Sequence, residues 1–267
     1  MTGLVQLLLQ NAGISVALFT LLWLLNLRTR DPSFIDSIWA LGMVALAWSS
    51  FVRVGGPAAG PHAVWLTALC TVWGLRLGLY LLWRWRKHGP DRRYVTMMAH
   101  AQTERGWGYA TASGLLVFAL QAPLQFVVAL PAQIGQLGGP GPLGALGWAG
   151  VAIAVVGVVF ESVGDFQLVA FKANPANAGK VLQTGLWRYT RHPNYFGDAC
   201  VWWGLWLVAT DGGPGVWTLP APILLTVLLT RWSGVPTVEG RMRRKRPDYE
   251  AYVQRTSGFI PLPPRKA

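Results

Sequence analysis

Long apolar segments alternate with short polar and basic segments along most of the chain. A helix needs about 20 mostly apolar residues to cross the hydrocarbon core of a bilayer. Segments of this kind lie at residues 3–26, 34–52, 63–83, 110–131, 143–161, 196–210 and 215–230. The pattern predicts an all-α fold, that of a polytopic membrane protein with about seven transmembrane helices. Residues 1–267 are then a single membrane domain.

The composition supports a membrane protein over a soluble one. Hydrophobic residues make up 52% of the chain and charged residues 13%, whereas soluble domains average about 25% charged residues. The four histidines are scattered, and the two cysteines do not form a spacing typical of a metal site. No metal is therefore expected.

The basic residues predict the orientation in the membrane. Of the 23 Lys and Arg residues, all but Arg53 and Arg76 follow helices 1, 3, 5 or 7 of the predicted series. Cytoplasmic loops carry an excess of Lys and Arg, so we expect the N-terminus outside and the C-terminus in the cytoplasm. The net charge of +12 then serves orientation and attraction to membrane lipids, and no nucleic-acid partner is expected.

The segment GGPGPLG at residues 138–144 matches the GxGxxG pattern of dinucleotide-binding proteins. That pattern is meaningful between a strand and a helix of a βαβ unit. Here it contains two prolines and lies in a predicted membrane loop, so a turn between two helices is the preferred interpretation.

Charged residues follow one face of the fifth predicted helix beyond its apolar part. Glu161, Asp165 and Lys172 are spaced at i, i+4 and i+11, which places them on one side of a helix. Ionisable groups at membrane depth are costly and usually face a partner or a cavity. A solvated extension of the helix is the simpler alternative, and both stay open at this point.

The segment GLWRYTRHPNYFGD (185–198) places polar groups at the start of the sixth predicted helix. Pro193 suits the first position of a helix, and a helix N-terminus attracts anions. Arg188 and Arg191 precede it, while Asn194 and Asp198 lie one turn apart on one face. The arrangement indicates a bound anionic ligand with hydrogen-bonding groups. A basic flank with a helix cap would explain the arginines but not Asp198.

The C-terminal tail combines a basic run with aromatic residues. The run RMRRKR is followed by Tyr249, Tyr252 and FIPLPP. We expect the basic run to face anionic lipid and the aromatic part to fold over the same ligand, which Arg231 would also face.

These segments, with ESVGDFQLVAFK, LLTRWSGVP and YEAYVQRTSGFIP, resemble the bacterial DUF1295 proteins. That family is grouped with the steroid 5-alpha-reductase-like membrane enzymes, the sterol C14 reductases and the isoprenylcysteine carboxyl methyltransferases. The resemblance is strongest over about residues 157–262. In helices 1–4 the clearest piece is DPSFIDSIWALG.

The resemblance implies an integral-membrane reductase that takes NADPH from the cytoplasm and reduces an activated C=C bond in a lipid or steroid-like enone. It further implies a location in the bacterial inner membrane and a lipophilic substrate that arrives from the bilayer. The cofactor-binding half would be about residues 157–262. The expected cofactor-binding residues are Glu161, Asp165, Lys172, Arg188, Arg191, His192, Asn194, Tyr195, Asp198, Arg231, Tyr249 and Tyr252.

At the substrate end the chain departs from the steroid reductases, because it has no early Gln-Glu pair and has Trp73 where a tyrosine is sought. Asp36 and Tyr80 are the nearest catalytic substitutes. Asp36 would polarise the substrate carbonyl as a protonated acid, or else form a structural ion pair with Arg76.

Two other functions fit the same pattern. One is an S-adenosylmethionine-dependent methyltransferase acting on a lipid or prenyl group, for which the pocket is unusually rich in Lys and Arg. The other is a non-catalytic lipid-binding or transport protein, although the paired repeats typical of many transporters are not visible. Cofactor binding discriminates among the three.

Overall fold

The chain folds into a bundle of helices, seen in a computed structural model that describes residues 2–232 and 234–265. The first half contains α1 (Thr2–Thr29), α2 (Ile35–Arg53), α3 (Pro61–His88) and α4 (Arg92–Arg105). A further helix begins as α5 (Tyr109–Ser113), passes through a π-helical turn and continues as α6 (Ala119–Val128) and the short α7 (Leu130–Ile134).

The second half contains the longest helix, α8 (Ala145–Ala173), followed by α9 (Pro193–Asp211). The chain then forms α10 (Pro220–Val227), a second π-helical turn at Leu228–Trp232, α11 (Val235–Lys245) and α12 (Tyr249–Arg255). The predicted all-α, polytopic membrane fold is confirmed, because six helical segments are long and apolar enough to cross a membrane. They are Gly3–Thr29, Pro32–Arg53, Pro61–His88, Tyr109–Val128, Ala145–Ala173 and Pro214–Lys245.

The number of crossings and their direction stay predictions. The sixth predicted span is present as a helix, α9, but it is not among the six segments of sufficient length and hydropathy. Its start at Pro193 agrees with the expectation that the proline occupies the first helical position.

Several boundaries differ from those that the sequence predicts. The helix predicted at 143–161 continues to Ala173, and the amphipathic α4 was not predicted at all. The acidic residues of α8 do not end the helix. Partners on a neighbouring helix compensate their charge within the bundle, as described below. α4 has a polar composition, and Asp91 caps its start by accepting a hydrogen bond from Arg93 N at 2.9 Å.

The packing of α8 against α9 relies on glycine. A β-carbon built on Gly150 would lie 2.6 Å from the carbonyl oxygen of Gly204, and one on Gly157 would lie 2.6 Å from that of Gly197. Small residues at a helix interface let two backbones approach closely. The same contact continues to Gly164, where Asn194 N would lie 3.2 Å from a β-carbon.

This packing places the start of α9 inside the bundle. Gly164 lies nine residues before the end of α8, which is about 13 Å along a helix. The space above the start of α9 is filled by loop 174–192, where Trp187 Nε1 donates to the carbonyl of Gly164 at 3.0 Å. We call the end of the bundle that carries α4, this loop, α11 and α12 the basic face, and the other end the opposite face.

Candidate functional site

Arg76, on α3, joins the two carboxylates of the predicted α8 stripe. Its guanidinium lies 2.7 Å from Glu161 Oε1 and 2.5 Å from Asp165 Oδ2, and it also donates to the carbonyl of Glu161 at 2.8 Å. The two acids are one helical turn apart, so a single planar guanidinium reaches both. The two acids of the stripe therefore belong to an internal ion-pair network, whereas Lys172 is exposed and forms no ion pair among the described residues.

Asn194 and Asp198 bring α9 into the same group. Asn194 Nδ2 donates to Asp165 Oδ1 at 3.2 Å. Asp198 is buried, and its Oδ1 has no hydrogen-bond partner among the described residues; the same holds for Oε2 of Glu161. The indole N–H of Trp73 lies beside both carboxyl groups without a hydrogen bond of normal geometry.

These unpartnered oxygens are the polar feature that most needs a ligand. A buried acceptor without a partner costs about 1–3 kcal/mol, and such groups are rare in folded proteins. The start of α9 adjoins them, and the first N–H groups of a helix have no intrahelical partner. The interior group of Arg76, Glu161, Asp165, Asn194 and Asp198 can therefore accept and donate hydrogen bonds to a polar ligand.

A cluster of cations lies nearer the basic face. Lys172 interacts electrostatically with Arg84, Arg241 and Arg246, as well as with Asp165. None of these four cations forms an ion pair with a carboxylate in residues 2–232 and 234–265. Nη1 of Arg246 is buried without a hydrogen-bond partner there. Lys172 and Arg241 are exposed to solvent, and like charges that share a region without a carboxylate partner favour an anion there.

The two groups are connected along α8. Asp165 and Lys172 are seven residues apart, which corresponds to about 10 Å. Arg84 of α3 interacts electrostatically with both of them. An elongated ligand with phosphates at one end and hydrogen-bonding groups at the other would match this order.

Asp36 forms a separate cluster with α4, so the expected alternative of an ion pair with Arg76 is wrong. Arg93 Nη2 lies 2.7 Å from Asp36 Oδ2, and the hydroxyl of Tyr94 donates to Asp36 Oδ1 at 2.5 Å. Gln121 Nε2 donates to the Tyr94 oxygen at 3.0 Å. Burial and the adjacent Asp36 carboxylate raise the pKa of Tyr94 well above its usual value. Tyr94 therefore stays protonated at neutral pH.

Tyr80 and Tyr195 lie next to the interior group. Arg76 Cζ stands 5.5 Å from the centroid of the Tyr80 ring, and this ring stacks on Trp83. Tyr195 stacks parallel to His192, with 5.4 Å between ring centroids. Tyr195 interacts electrostatically with both Asp36 and Asp165, so it is near enough to the α4 cluster and to the interior group to be influenced by both.

Arg191 and His192 converge on a residue that the sequence reasoning missed. Arg191 Nε lies 2.8 Å from Glu239 Oε1, and His192 Nε2 lies 3.1 Å from the same oxygen. Arg191 also donates to the carbonyls of Val253 and Thr256. These contacts join α9, α11 and the tail. Glu239 had one signal in the sequence, because it is an acid within an otherwise basic segment.

The remaining predicted ligands divide into buried and exposed residues. Tyr249 and Tyr252 are buried, and the hydroxyl of Tyr252 donates to the carbonyl of Trp187 at 2.5 Å. The tail thus folds back over the loop before α9, as expected. Arg188 and Arg231 are exposed, and their side chains make no hydrogen bond or ion pair within the part of the chain that the structure describes.

Comparisons with known proteins place this arrangement in a family. The family model described as "Protein of unknown function (DUF1295)" matches residues 22–256. The Schizosaccharomyces pombe uncharacterized protein C594.04c is 23% identical, over 93% of this chain and 78% of the yeast protein. No solved structure matches the chain.

Proposed function

The chain belongs to the DUF1295 family, and on that premise we propose that it is a membrane-embedded reductase. It uses NADPH to reduce an activated C=C bond in a lipid or steroid-like enone. The observation that carries the proposal is the two-part site. Four cations lack a carboxylate partner among the described residues, and one of them, Lys172, lies about 10 Å along α8 from Asp165 of the buried group, which also contains unpartnered acceptors.

The residues present fit NADPH. Its phosphates would be held by Lys172, Arg84, Arg241 and Arg246, which have no carboxylate of their own among the described residues. The carboxamide N–H groups of NADPH would donate hydrogen bonds to the unpartnered oxygens of Asp198 and Glu161. S-adenosylmethionine carries no phosphate and would leave the positive charge of the cation cluster uncompensated. This difference favours NADPH over S-adenosylmethionine.

The chain's own residues prepare the site for reduction. NADPH supplies the hydride when it is bound. Arg76 holds Asp165 in place, and Asp165 accepts the amide hydrogen bond that orients Asn194. On the other side, Asp36 and Gln121 orient the hydroxyl of Tyr94. The single O–H of Tyr94 is donated to Asp36 in this structure. Turned from Asp36 to a substrate carbonyl, the same O–H would stabilise the charge that develops there. Tyr80 is the second candidate for this role.

The test is cofactor binding to the detergent-purified protein, measured by fluorescence or thermal shift. Lys172→Gln and Arg246→Gln should weaken NADPH binding about tenfold each, since a charge-assisted hydrogen bond contributes about 1.5–3 kcal/mol. Asp198→Asn should weaken NADPH and NADH alike. Arg28→Gln is the control, because Arg28 is exposed at the end of α1 and its side chain makes no hydrogen bond or ion pair among the described residues.

The outcomes separate the three functions. NADPH binding that the cation variants weaken supports a reductase and justifies assays with lipid enones. Binding of S-adenosylmethionine alone would establish the methyltransferase instead. A folded protein that binds neither compound would contradict the proposal and leave a lipid-binding or transport role.

A further inference from the structure

A cleft of about 730 Å³ lies at the opposite face, far from the site proposed for NADPH. Its walls come from the start of α1, the end of α2 and the loop before α8. The polar side chains that line it are Gln6, Gln10, Arg53 and Gln136. Gly139 and Pro140, from the GGPGPLG segment, close one side. That segment thus forms part of a cleft wall.

Arg53 is the cation of this cleft. Its Nη1 donates to Gln10 Oε1 at 2.6 Å and its Nη2 donates to Gln6 Oε1 at 2.8 Å. Both acceptors are neutral, and Arg53 forms no ion pair within residues 2–232 and 234–265. A guanidinium has five N–H donors, so the two glutamines fix its orientation and leave donors for an anion.

Gln136 supplies the complementary group. It is 1% exposed, and its Nε2 donates both to the carbonyl of Ala47 at 2.9 Å and to that of Ala132 at 2.6 Å. Those two bonds use both amide hydrogens and fix the side chain. Its Oε1 is left as a buried acceptor with no partner among the described residues. The residues that line the cleft therefore include a cation without an anion, Arg53, and a buried acceptor without a donor, Gln136.

The surface beside the cleft is apolar. Val5 and Leu9 of α1 and Val52 of α2 are 53%, 67% and 73% exposed. These residues lie on segments that are apolar enough to cross a membrane. A ligand in this cleft thus meets polar side chains inside the cleft and an apolar surface beside it. An amphiphile has a polar part and an apolar part that match these two surroundings.

We propose that this cleft binds one phospholipid whose headgroup joins the phosphate to an ammonium or hydroxyl donor. The phosphate oxygens accept hydrogen bonds from the free N–H groups of Arg53. The ammonium or hydroxyl group donates a hydrogen bond to Oε1 of Gln136, and the acyl chains lie along α1 and α2. A guanidinium is suited to phosphate by geometry. The lipid site does not depend on the NADPH site, since it uses other helices at the other end of the bundle.

The experiment measures lipid binding to the delipidated, full-length protein by native mass spectrometry and by thermal shift. Phosphatidylethanolamine tests the whole headgroup. Phosphatidylcholine has the phosphate but no N–H or O–H donor, and diacylglycerol has no phosphate. Glycerophosphoethanolamine carries the headgroup without chains, and inorganic phosphate is the bare anion. Arg53→Gln removes the cation, while Arg28→Gln removes an exposed arginine from the other end of α1.

We expect phosphatidylethanolamine to bind and stabilise the wild type and Arg28→Gln, with phosphatidylcholine weaker and diacylglycerol without effect. In Arg53→Gln the affinity for phosphatidylethanolamine should fall about tenfold, which corresponds to about 1.4 kcal/mol. Unchanged affinity in Arg53→Gln would overturn the proposal. Equal stabilisation by diacylglycerol would overturn it too, as would glycerophosphoethanolamine or inorganic phosphate acting at the concentration at which the lipid acts.

Discussion

Gly157 of α8 and Gly197 of α9 meet backbone against backbone, so that a β-carbon on Gly157 would lie 2.6 Å from the carbonyl oxygen of Gly197. This contact brings Glu161, one turn after Gly157, and Asp198, the residue after Gly197, into the same buried region. The polar site thus depends on the absence of two side chains elsewhere on the same helices.

Gly157→Ala should therefore destabilise the protein. Alanine favours a helix over glycine by about 1 kcal/mol, but here its methyl group overlaps a backbone atom that cannot move independently. Overpacking of this kind typically costs about 1–3 kcal/mol. The measurement is the midpoint of thermal unfolding in detergent. Gly13→Ala is the matched control, because Gly13 also lies in a helix and has open space around its β-carbon position; an equal loss in both variants would refute the packing argument.

The glycine contact shows where sequence reasoning stopped. The lengths of the apolar segments predicted the helices, because membrane thickness sets how many residues a span needs. The missing N–H of proline predicted the start at Pro193. Both effects act locally along the chain. Gly150, Gly157 and Gly164 recur every seven residues, as do Gly197 and Gly204. That spacing was readable as a close helix interface. The seven-residue spacing alone does not indicate which helix is the partner.

Arg76 should be essential for stability because it compensates Glu161 and Asp165. Arg76→Gln would leave two buried carboxylates against each other, and breaking a buried ion pair from one side costs about 3–5 kcal/mol. We expect a large drop in the unfolding midpoint of the purified protein. The triple variant Arg76→Gln, Glu161→Gln, Asp165→Asn should recover much of that loss, since it removes the uncompensated charge.

The control for this prediction is Arg92→Gln, an exposed arginine at the start of α4. It should unfold at the same temperature as the wild type. If Arg76→Gln were no less stable than Arg92→Gln, the interior network would contribute nothing and the assignment of Arg76 would be wrong.

Sequence reasoning assigned Arg188 and Arg191 the same role, and the structure separates them. Arg191 is directed to Glu239 and to the tail carbonyls, whereas Arg188 is exposed. A charge count cannot distinguish the two, because their difference comes from residues about 50 or more positions away that only the fold brings near. Asp36 is similar, since its partners Arg93 and Tyr94 lie on a helix that the apolar pattern did not reveal.

Arg191→Ala should release the tail from the loop before α9. Arg191 donates to the carbonyls of Val253 and Thr256, and its own N–H donates to Ser257 O at 2.9 Å. Loss of the side-chain contacts should make residues 253–265 more sensitive to protease in a limited digestion followed by mass spectrometry. Arg188→Ala is the matched variant and should be digested like the wild type. Equal protection in both would show that Arg191 does not hold the tail.

His192 predicts how stability depends on pH. Burial lowers the pKa of His192, and nearby Arg191 lowers it further, against the hydrogen bond and charge of Glu239, which raise it. The usual value is about 6.5, so between that and the lowered value the unfolded chain binds a proton that the folded chain does not. Stability then rises with pH in that window. His192 contributes fully above about pH 6.5, and its contribution is lost as pH falls through the lowered pKa.

The measurement is the unfolding midpoint of the wild type and of His192→Gln across this pH range. The midpoint of the wild type should fall more steeply on acidification than that of His192→Gln, which keeps a donor for Glu239 but does not titrate. His100→Gln, at an exposed position of α4, should follow the wild type. A wild-type curve parallel to that of His192→Gln would mean that the imidazole titrates alike in both states, and that its burial against Glu239 does not destabilise the charged form.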